Sequence, residues 1–420
     1  MKVAFKTLGC RLNQAEEAAF MAQFLALGWE IVTEKEEPDA LVLHSCAVTR
    51  MAERETFRLL RAYRAARGEG ERPLIVLTGC AAACNDEQAL HEAGADLIVH
   101  KADVKRLAEI VAAALSLPFV PLEEEPLPNF HWHWQRALLK VQDGCDFRCA
   151  YCIVPYTRGP SGSVPFEKAI ENARGFLEKG FREIVLTGCN LACYRDGAKS
   201  FPELADAVCT IAAEAGARVR FGSVEPGICD DAFPDLFRAH SNLCPFLHLP
   251  VQSGDTKILR AMGRPSTAES ISALLEKLTA EFPLLAIGGD FITGLPGEDE
   301  ESFLRTCELV RRFGFAHLHI FPYSPRQGTR ALAFEDRPSR AVAKERAGRL
   351  RAIGRETASA YAKRWIGRPT TVLLEGRGED GLAYGWNEGY VQCHLPAPGV
   401  PVAELATFTP RALAKGVLKS

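Results

Sequence analysis

A chain of 420 residues, 47% hydrophobic and 25% charged, is long enough for two or three domains and apolar enough to bury a sizeable core. Its net charge of −3 excludes a uniformly basic nucleic-acid coat, though not a local basic patch. No apolar run approaches the ~18 residues that span a bilayer, the opening Met1-Lys2-Val3-Ala4-Phe5-Lys6 reads as a strand and not a signal peptide, and 14 cysteines fit metal ligation better than disulfides in a reducing compartment. A cytoplasmic protein with no membrane partner is the expectation.

The first segment alternates short apolar strands with helices. Lys2 to Thr7 leads to a helix beginning near Asn13, Ala40 to His44 to a helix from Ala47, Leu74 to Thr78 to another, and Asp96 to Val99 closes the set. This alternation predicts a parallel α/β domain over residues 1–116, with helices on the sheet faces and ligands at the carboxyl ends of the strands. Cys10, Cys46 and Cys80 each follow one of these strands, so one sheet edge can gather three thiols that are distant in sequence. Any one of them alone reads as an inert buried cysteine; three at equivalent topological positions read as a cluster site. Cys84 reads as a bystander.

Leu117 to Asn129, with Pro118, Pro121, Pro126, Pro128 and Glu123 to Glu125, predicts an interdomain linker, extended to residue 134. Strand Ala137 to Val141 then runs into Gly-Cys-Asp-Phe-Arg-Cys-Ala-Tyr-Cys, which carries Cys145, Cys149 and Cys152. That spacing lets one loop wrap three thiolates around a corner of a 4Fe-4S cluster and leaves a fourth iron without a protein ligand. A structural zinc site is the alternative, but it wants four ligands, and no second Cys-x-x-Cys pair lies within reach in sequence. Tyr151, just before the third cysteine, suits a site that holds a nucleoside-bearing cofactor beside the cluster.

Further strands are predicted at Glu183 to Thr187, Val219 to Ser223, Leu247 to Pro250, Leu285 to Phe291 and His317 to Pro322. With the first they make six βα units over residues 135–366, too few for a closed eight-stranded barrel, so a partial (β/α)6 barrel with its active site at the strand C-terminal ends is expected. After a helical stretch from Ser339 to Trp365, short strands at Thr370 to Glu375, Gly381 to Trp386 and Tyr390 to Leu395 predict a small C-terminal β-barrel over residues 367–420.

The cysteine loop resembles the radical S-adenosylmethionine (SAM) superfamily, whose members leave the fourth iron free to chelate the amino and carboxylate groups of SAM. With both trios in place, essentially the whole chain is similar to the methylthiotransferase family of radical SAM enzymes. That family joins an N-terminal domain with an auxiliary 4Fe-4S cluster, a radical SAM partial barrel, and a C-terminal TRAM domain that handles RNA. Thr-Leu-Gly-Cys-Arg-Leu-Asn-Gln-Ala-Glu and Cys-Ala-Val-Thr-Arg-Met-Ala-Glu-Arg resemble the subgroup that modifies N6-threonylcarbamoyladenosine at position 37 of tRNA; Leu-Lys-Val-Gln-Asp-Gly-Cys, His-Leu-Pro-Val-Gln-Ser-Gly and Phe-Pro-Tyr-Ser-Pro-Arg-Gln-Gly-Thr strengthen the match.

The resemblance implies two 4Fe-4S clusters, SAM, a tRNA anticodon stem-loop as substrate, a reductant such as flavodoxin or ferredoxin, an unidentified sulfur donor, and a monomer. It implies that SAM is cleaved to a 5'-deoxyadenosyl radical that takes hydrogen from carbon 2 of the adenine, that sulfur from the auxiliary cluster replaces it, and that a second SAM methylates the sulfur. An aromatic C–H has neither an acidic proton nor a leaving group, so radical chemistry suits it where acid–base catalysis does not. Sister enzymes act on isopentenyladenosine in tRNA or on an aspartate of a ribosomal protein. A non-catalytic iron-sulfur protein that binds RNA is the alternative of another class.

By the same resemblance Arg158 lies near the active site as the catalytic candidate, while Gly162 stands where a second arginine is expected. Cofactor contacts are expected at the strand ends: Thr187, Gly188 and Asn190 after the second barrel strand, Ser223 and Glu225 after the third, Gln252 and Ser253 after the fourth, and Asp290 with the turn Thr293 to Glu298 after the fifth. His44-Ser45-Cys46 departs from the family's Asn-Thr-Cys, and Ala-Ala-Ala-Cys follows Cys80. For RNA, Arg54, Arg58, Arg61 and Arg64 make a stripe at helical spacing, and Lys344, Arg346, Arg349, Arg351, Arg355, Lys363, Arg364 and Arg368 form a second basic region. Trp386 and Tyr390 are candidates to stack on bases or to pack in the core.

Overall fold

The computed structural model describes all residues except 69, 71, 124–125, 127–134 and 229–231. In the N-terminal unit, strands β1 (Lys2–Thr7), β2 (Glu30–Val32), β3 (Ala40–Ser45), β4 (Leu74–Gly79) and β5 (Leu97–Val99) form a parallel sheet of order β2-β1-β3-β4-β5. All of β3 is buried, which fits a central strand covered on both faces. The order makes β1, β3 and β4 direct neighbours, and these are the strands followed by Cys10, Cys46 and Cys80. The edge strand β2 escapes sequence reading, because Glu30-Ile31-Val32 carries neither a period nor, unlike Leu97-Ile98-Val99, an unbroken apolar run. Helix α1 (Arg11–Ala26) begins at Arg11, ahead of Asn13. Helix α2 (Arg50–Arg67) begins at Arg50 and not Ala47, because Thr49 extends and its side chain caps the Ala52 amide.

Glu17 of α1 is buried, and burial raises its carboxyl to about 7, with Lys6 pulling weakly the other way. Its folded-state pKa lies above the unfolded value, so its contribution is full below about pH 4.5 and is lost as pH rises toward 7. Glu17→Gln is therefore expected to stabilise the protein by about 2 kcal/mol at pH 8 and to change little at pH 4.5, measured as the shift in melting temperature.

The described part of residues 117–134 belongs to no helix or strand; Glu124, Glu125, Pro128 and Asn129 of the expected linker lie outside the described residues. Among the described residues of the central unit, six parallel strands follow in sequence: β6 (Ala137–Lys140), β7 (Glu183–Thr187), β8 (Arg218–Phe221), β9 (Phe246–Gln252), β10 (Ala286–Thr293) and β11 (His317–Pro322). They pair as β6-β7-β8 and β9-β10-β11. The bridges Val219↔Leu243 and Ser223↔His248 seam the two halves into the expected partial barrel. Leu186, Phe221, Leu247, Leu275, Phe303 and Leu350 lie in the core that joins the strands to the outer helices.

The last unit is a six-stranded β-sheet. Beyond the three expected strands it adds Leu405–Phe408, Ala412–Ala414 and Val417–Lys419. It docks on the N-terminal ends of the barrel strands, sharing a core with Phe246, Ala286, Tyr361 and Trp365. Beneath that core, fully buried Glu183 accepts from Arg136 (2.8 Å), Arg218 (2.6 Å) and Arg220 (2.9 Å). Arg218 and Arg220 also donate to the carbonyls of Thr371, Trp386, Asn387 and Glu388. Tyr390 stacks on Trp386 at 4.9 Å, lies under the Arg220 guanidinium at 4.6 Å, and is bonded by Arg11, while Trp386 Nε1 donates to Glu375. Both rings are thus committed to the domain interface, and the base-stacking expectation for them gives way to packing. Among the described residues no helix is long and apolar enough to cross a membrane.

Candidate active site at the domain interface

The N-terminal thiols converge as the strand order requires. Cys10 is the N-cap of α1, Cys46 follows β3 directly, and Cys80 opens the short helix Cys80–Cys84 after β4. Asn13 ties them together: its Nδ2 donates to the Leu8 (2.8 Å) and Ser45 (3.1 Å) carbonyls, and the Cys10 thiol lies 3.7 Å from its Oδ1. Gly9, at φ +111°, lets the chain pass close by, since a Cβ there would sit 3.2 Å from the Cys46 sulfur. His44, where the family has asparagine, lies 3.3 Å from Glu16 and edge-on to Phe20, so the departure serves packing and charge. Cys84 is engaged by Asn85 Nδ2 (3.5 Å) and by Arg326, whose guanidinium also forks onto Glu53.

The second trio is held by a clamp. Gln142 Nε2 donates to the Gly144 carbonyl (2.8 Å) and Ser161 Oγ (3.0 Å), while its Oε1 accepts from the Asn190 amide (2.9 Å). The loop carrying Cys145 is thereby tied to the end of β7. Arg264 supplies the other anchor: it donates to Cys149 Sγ (3.5 Å), to both oxygens of Glu225 (2.8 and 2.6 Å) and to the Pro250 carbonyl (2.6 Å). Tyr151 packs with Ala150, Ile258, Met262, Leu295 and Ala331.

These thiols fit a metal-sulfur centre. Burial pushes Cys46 up to about 11 and Cys152 up to about 12, so without a cation they stay protonated. A bound metal removes that penalty outright. Cys145 is lowered to about 6 by the adjacent Cys193 thiol, against burial and with help from the Phe147 amide and Asn190. The buried Asn190 Oδ1 has no partner among the described residues, an acceptor that a ligand at this rim could use.

Between the two trios lies a charge cluster. Buried Arg158 donates to Glu16 (2.9 and 3.0 Å), Asp143 (3.0 Å) and Asn13 Oδ1 (2.7 Å). Lys140 adds bonds to Glu16 (2.6 Å) and Asp143 (2.9 Å), and Lys101 pairs with Asp143 at 3.0 Å. Against the cost of burial, Lys140, His44 and Arg158 hold the Glu16 carboxyl well below the usual carboxylate range. Arg158 thus joins Asn13, which contacts Cys10, to Asp143 before the Cys145 loop, and both terminal nitrogens of its guanidinium are taken by protein groups. That makes it a positioning residue. Arg158→Ala removes the forked partner of two half-buried carboxylates that keep Lys140, and is expected to cost about 2 kcal/mol, read as a lowered unfolding midpoint. Arg158→Lys is expected to recover only part, lacking the fork.

The expected cofactor contacts divide. Glu225 is buried and faces the Cys149 side through Arg264, and Ser223 is bridged to His248 at the seam. Gln252 has φ +70° at a register break ending β9, a strained position of the kind that clusters at functional sites. Other residues are turned to structural use. Thr187 Oγ1 donates to the Val185 carbonyl, and Ser253 Oγ accepts from the Asp255 amide beside Thr306. The close approach at Gly188 is made by Gln142, whose Oε1 would lie 2.9 Å from a Cβ. Glu298 is bound by Arg346, and Asp290 is taken by His248 and His319. Among the described residues a Cβ at Gly162 would meet nothing within 4 Å. Arg264, Gln142, Cys189 and Cys193 were not read from sequence. Cys189 lies in the Thr187–Asn190 run already marked as a strand end and Cys193 three residues past it, while Arg264 comes from a helix-end turn with no pattern of its own.

Of the basic residues, Arg54, Arg58 and Arg61 remain on the exposed face of α2, although Arg58 pairs with Glu55 and Arg64 donates to the Glu92 carbonyl. In the second region Arg346 is buried against Glu298, Arg349 pairs with Glu300, and Arg351 and Arg364 bond the Ile320 and Pro283 carbonyls. Those four are structural in whole or part.

Residues 139–310 match the family described as the radical SAM superfamily, and residues 2–100 match one described as uncharacterized protein family UPF0004. The chain is 34% identical to a tRNA-2-methylthio-N(6)-dimethylallyladenosine synthase of Zymomonas mobilis, over 96% of this chain and 93% of the relative. A protein of the same name from Sphingopyxis alaskensis is 33% identical, over 95% of this chain and 93% of its own length. Among solved structures, the radical S-adenosylmethionine methyltransferase TsrM from Kitasatospora setae superposes with a TM-score of 0.58 at 13% identity, covering 77% of this chain and 76% of that one. That likeness is one of fold.

Proposed function

The chain belongs to the methylthiotransferase family of radical SAM enzymes, and from that membership we propose that it methylthiolates an N6-substituted adenosine of tRNA, with N6-dimethylallyladenosine as its substrate. The observation that carries the reading is the pair of cysteine trios, Cys10, Cys46, Cys80 and Cys145, Cys149, Cys152, set on either side of one buried charge cluster. The first trio would hold an auxiliary 4Fe-4S cluster and the second the SAM-binding one. When bound, these groups supply one-electron cleavage of SAM and sulfur for a C–H bond that acid–base chemistry does not open.

The chain's own residues bind and orient. Arg264 and Glu225 form a buried ion pair against the Cys149 thiol, an arrangement able to hold the charged ends of an amino-acid-like cofactor. Asn190 offers an acceptor with no partner among the described residues, and Gln252 a polar side chain on a strained rim. Arg158, through Glu16, Asn13 and Asp143, fixes the spacing of the two thiol groups, which a transfer between them requires. Exposed Arg54, Arg58 and Arg61 lie on the helix that follows Cys46, placed for anticodon-stem phosphates.

The threonylcarbamoyl substrate is the second reading. It rests on the Thr7–Glu16 and Cys46–Arg54 motifs, whereas the relatives' names favour the dimethylallyl one. Mass spectrometry of tRNA nucleosides from cells lacking the gene separates them. Loss of the 2-methylthio-dimethylallyl nucleoside supports the proposal, selective loss of the 2-methylthio-threonylcarbamoyl nucleoside supports the second reading, and loss of neither contradicts both.

A further inference from the structure

One polar cluster within the barrel is used by neither thiol site. His248 on β9, Asp290 on β10 and His319 on β11 come from three adjacent parallel strands. His248 Nε2 and His319 Nδ1 lie 3.0 and 3.1 Å from the same oxygen, Asp290 Oδ1, and the two imidazoles are 5.0 Å apart at 36°. One possible ligand atom from each residue lies within 4.8 Å of the others. We propose that His248, Asp290 and His319 bind a single divalent transition-metal ion of the zinc or ferrous class, separate from both iron-sulfur sites.

Three arguments support the assignment. The donor set is two imidazoles and one carboxylate, the combination that suits zinc and non-haem iron and lacks the thiolates an iron-sulfur cluster needs. The two histidine–carboxylate spacings fit: ligand atoms bound at about 2.0–2.1 Å around a tetrahedral ion stand about 3.3 Å apart, close to the 3.0 and 3.1 Å seen here, and the histidine nitrogens lie within 4.8 Å of each other. The site is also built, not incidental. Gly288 follows the same strand face, and a Cβ there would lie 2.7 Å from His248 Nδ1, so glycine makes room for that ring. His248 is 8% exposed and Asp290 24%, whereas His319 at 62% leaves one side open to water or a further ligand. Each imidazole would present a ring-nitrogen lone pair to the ion, while Asp290 supplies the negative charge.

The assignment goes beyond the proposed tRNA chemistry and does not rest on it. The test uses holoprotein prepared anaerobically with its clusters assembled, dialysed against Zn2+, and analysed for metal by mass spectrometry and for zinc ligands by X-ray absorption. We expect one zinc retained per chain with nitrogen and oxygen scattering only. His319→Ala and Asp290→Asn should each weaken zinc binding by more than about 10-fold while cluster iron stays unchanged. His319 is largely exposed, so its truncation leaves the core intact and keeps the test sound if the Asp290 variant folds poorly. Absence of retained zinc, sulfur scattering at the zinc edge, or unchanged uptake by the His319→Ala protein would each overturn the assignment.

Discussion

Cys149→Ala is expected to reduce SAM cleavage, followed as 5'-deoxyadenosine released by reduced and reconstituted protein, to background, a loss of more than about 1,000-fold. Cys149 is buried, is bonded by Arg264, and belongs to a loop whose other anchor is the Gln142 clamp. A cluster missing one of three thiolates has no second grip there. Cys46→Ala acts on the other site. It should leave slow SAM cleavage while ending sulfur insertion into the nucleoside, because Cys46 belongs to the strand-end trio of the N-terminal sheet. Equal loss of both activities in the Cys46 variant would contradict separate roles for the two thiol groups, and retained cleavage in the Cys149 variant would contradict the site itself.

The second large effect concerns stability. Glu183 is fully buried and faces three guanidinium groups, and burial, which alone would raise its carboxyl, is overcome by Arg218, Arg220 and Arg136, which hold it well below the usual range. Glu183→Gln keeps the shape and removes the charge, leaving Arg218 and Arg220 buried without a counter-ion except through the carbonyls of the C-terminal unit. The expected cost is about 5 kcal/mol. In a chain of several units a single unfolding free energy is poorly defined, so the readout is hydrogen exchange. Residues 370–419 should lose protection before the barrel core does. Protection lost uniformly, or not at all, would show that Glu183 does not govern docking of this unit.

Much of this arrangement was legible in the sequence, for identifiable reasons. A strand of five or six residues carries a period or an apolar run that can be read, and β1, β7 and β11 fall on their expected bounds. Cysteines just past such strands inherit their position from topology, which is why Cys10, Cys46 and Cys80 could be grouped before any contact was known. The three-residue strands Glu30–Val32, Ala412–Ala414 and Val417–Lys419 each include a charged residue or alanines and so lack the run of large aliphatics that marked Leu97–Val99. Side-chain direction was the harder matter. Ser253 and Thr187 occupy the expected strand ends yet bond backward into the scaffold, and Asp290 turns to two histidines on neighbouring strands. Arg264 was missed because its partners Glu225, Pro250 and Cys149 are far apart in sequence and meet only when the barrel closes. Basic residues misled in the same way: spacing marks a helix face, but whether Arg346 meets solvent or Glu298 depends on what packs against that face. The tRNA subgroup expected from the Thr7–Glu16 motif is not the one carried in the names of the relatives, and motifs beside a thiol ligand report on cluster support as much as on substrate.

Iron and acid-labile sulfide counts on anaerobically prepared protein test most directly whether the chain gathers its thiols into two separate cluster sites. The expected result is about eight irons per chain in the unaltered protein and about four in each of Cys46→Ala and Cys149→Ala. About four irons in the unaltered protein, with one of the two substitutions leaving that number unchanged, would contradict it.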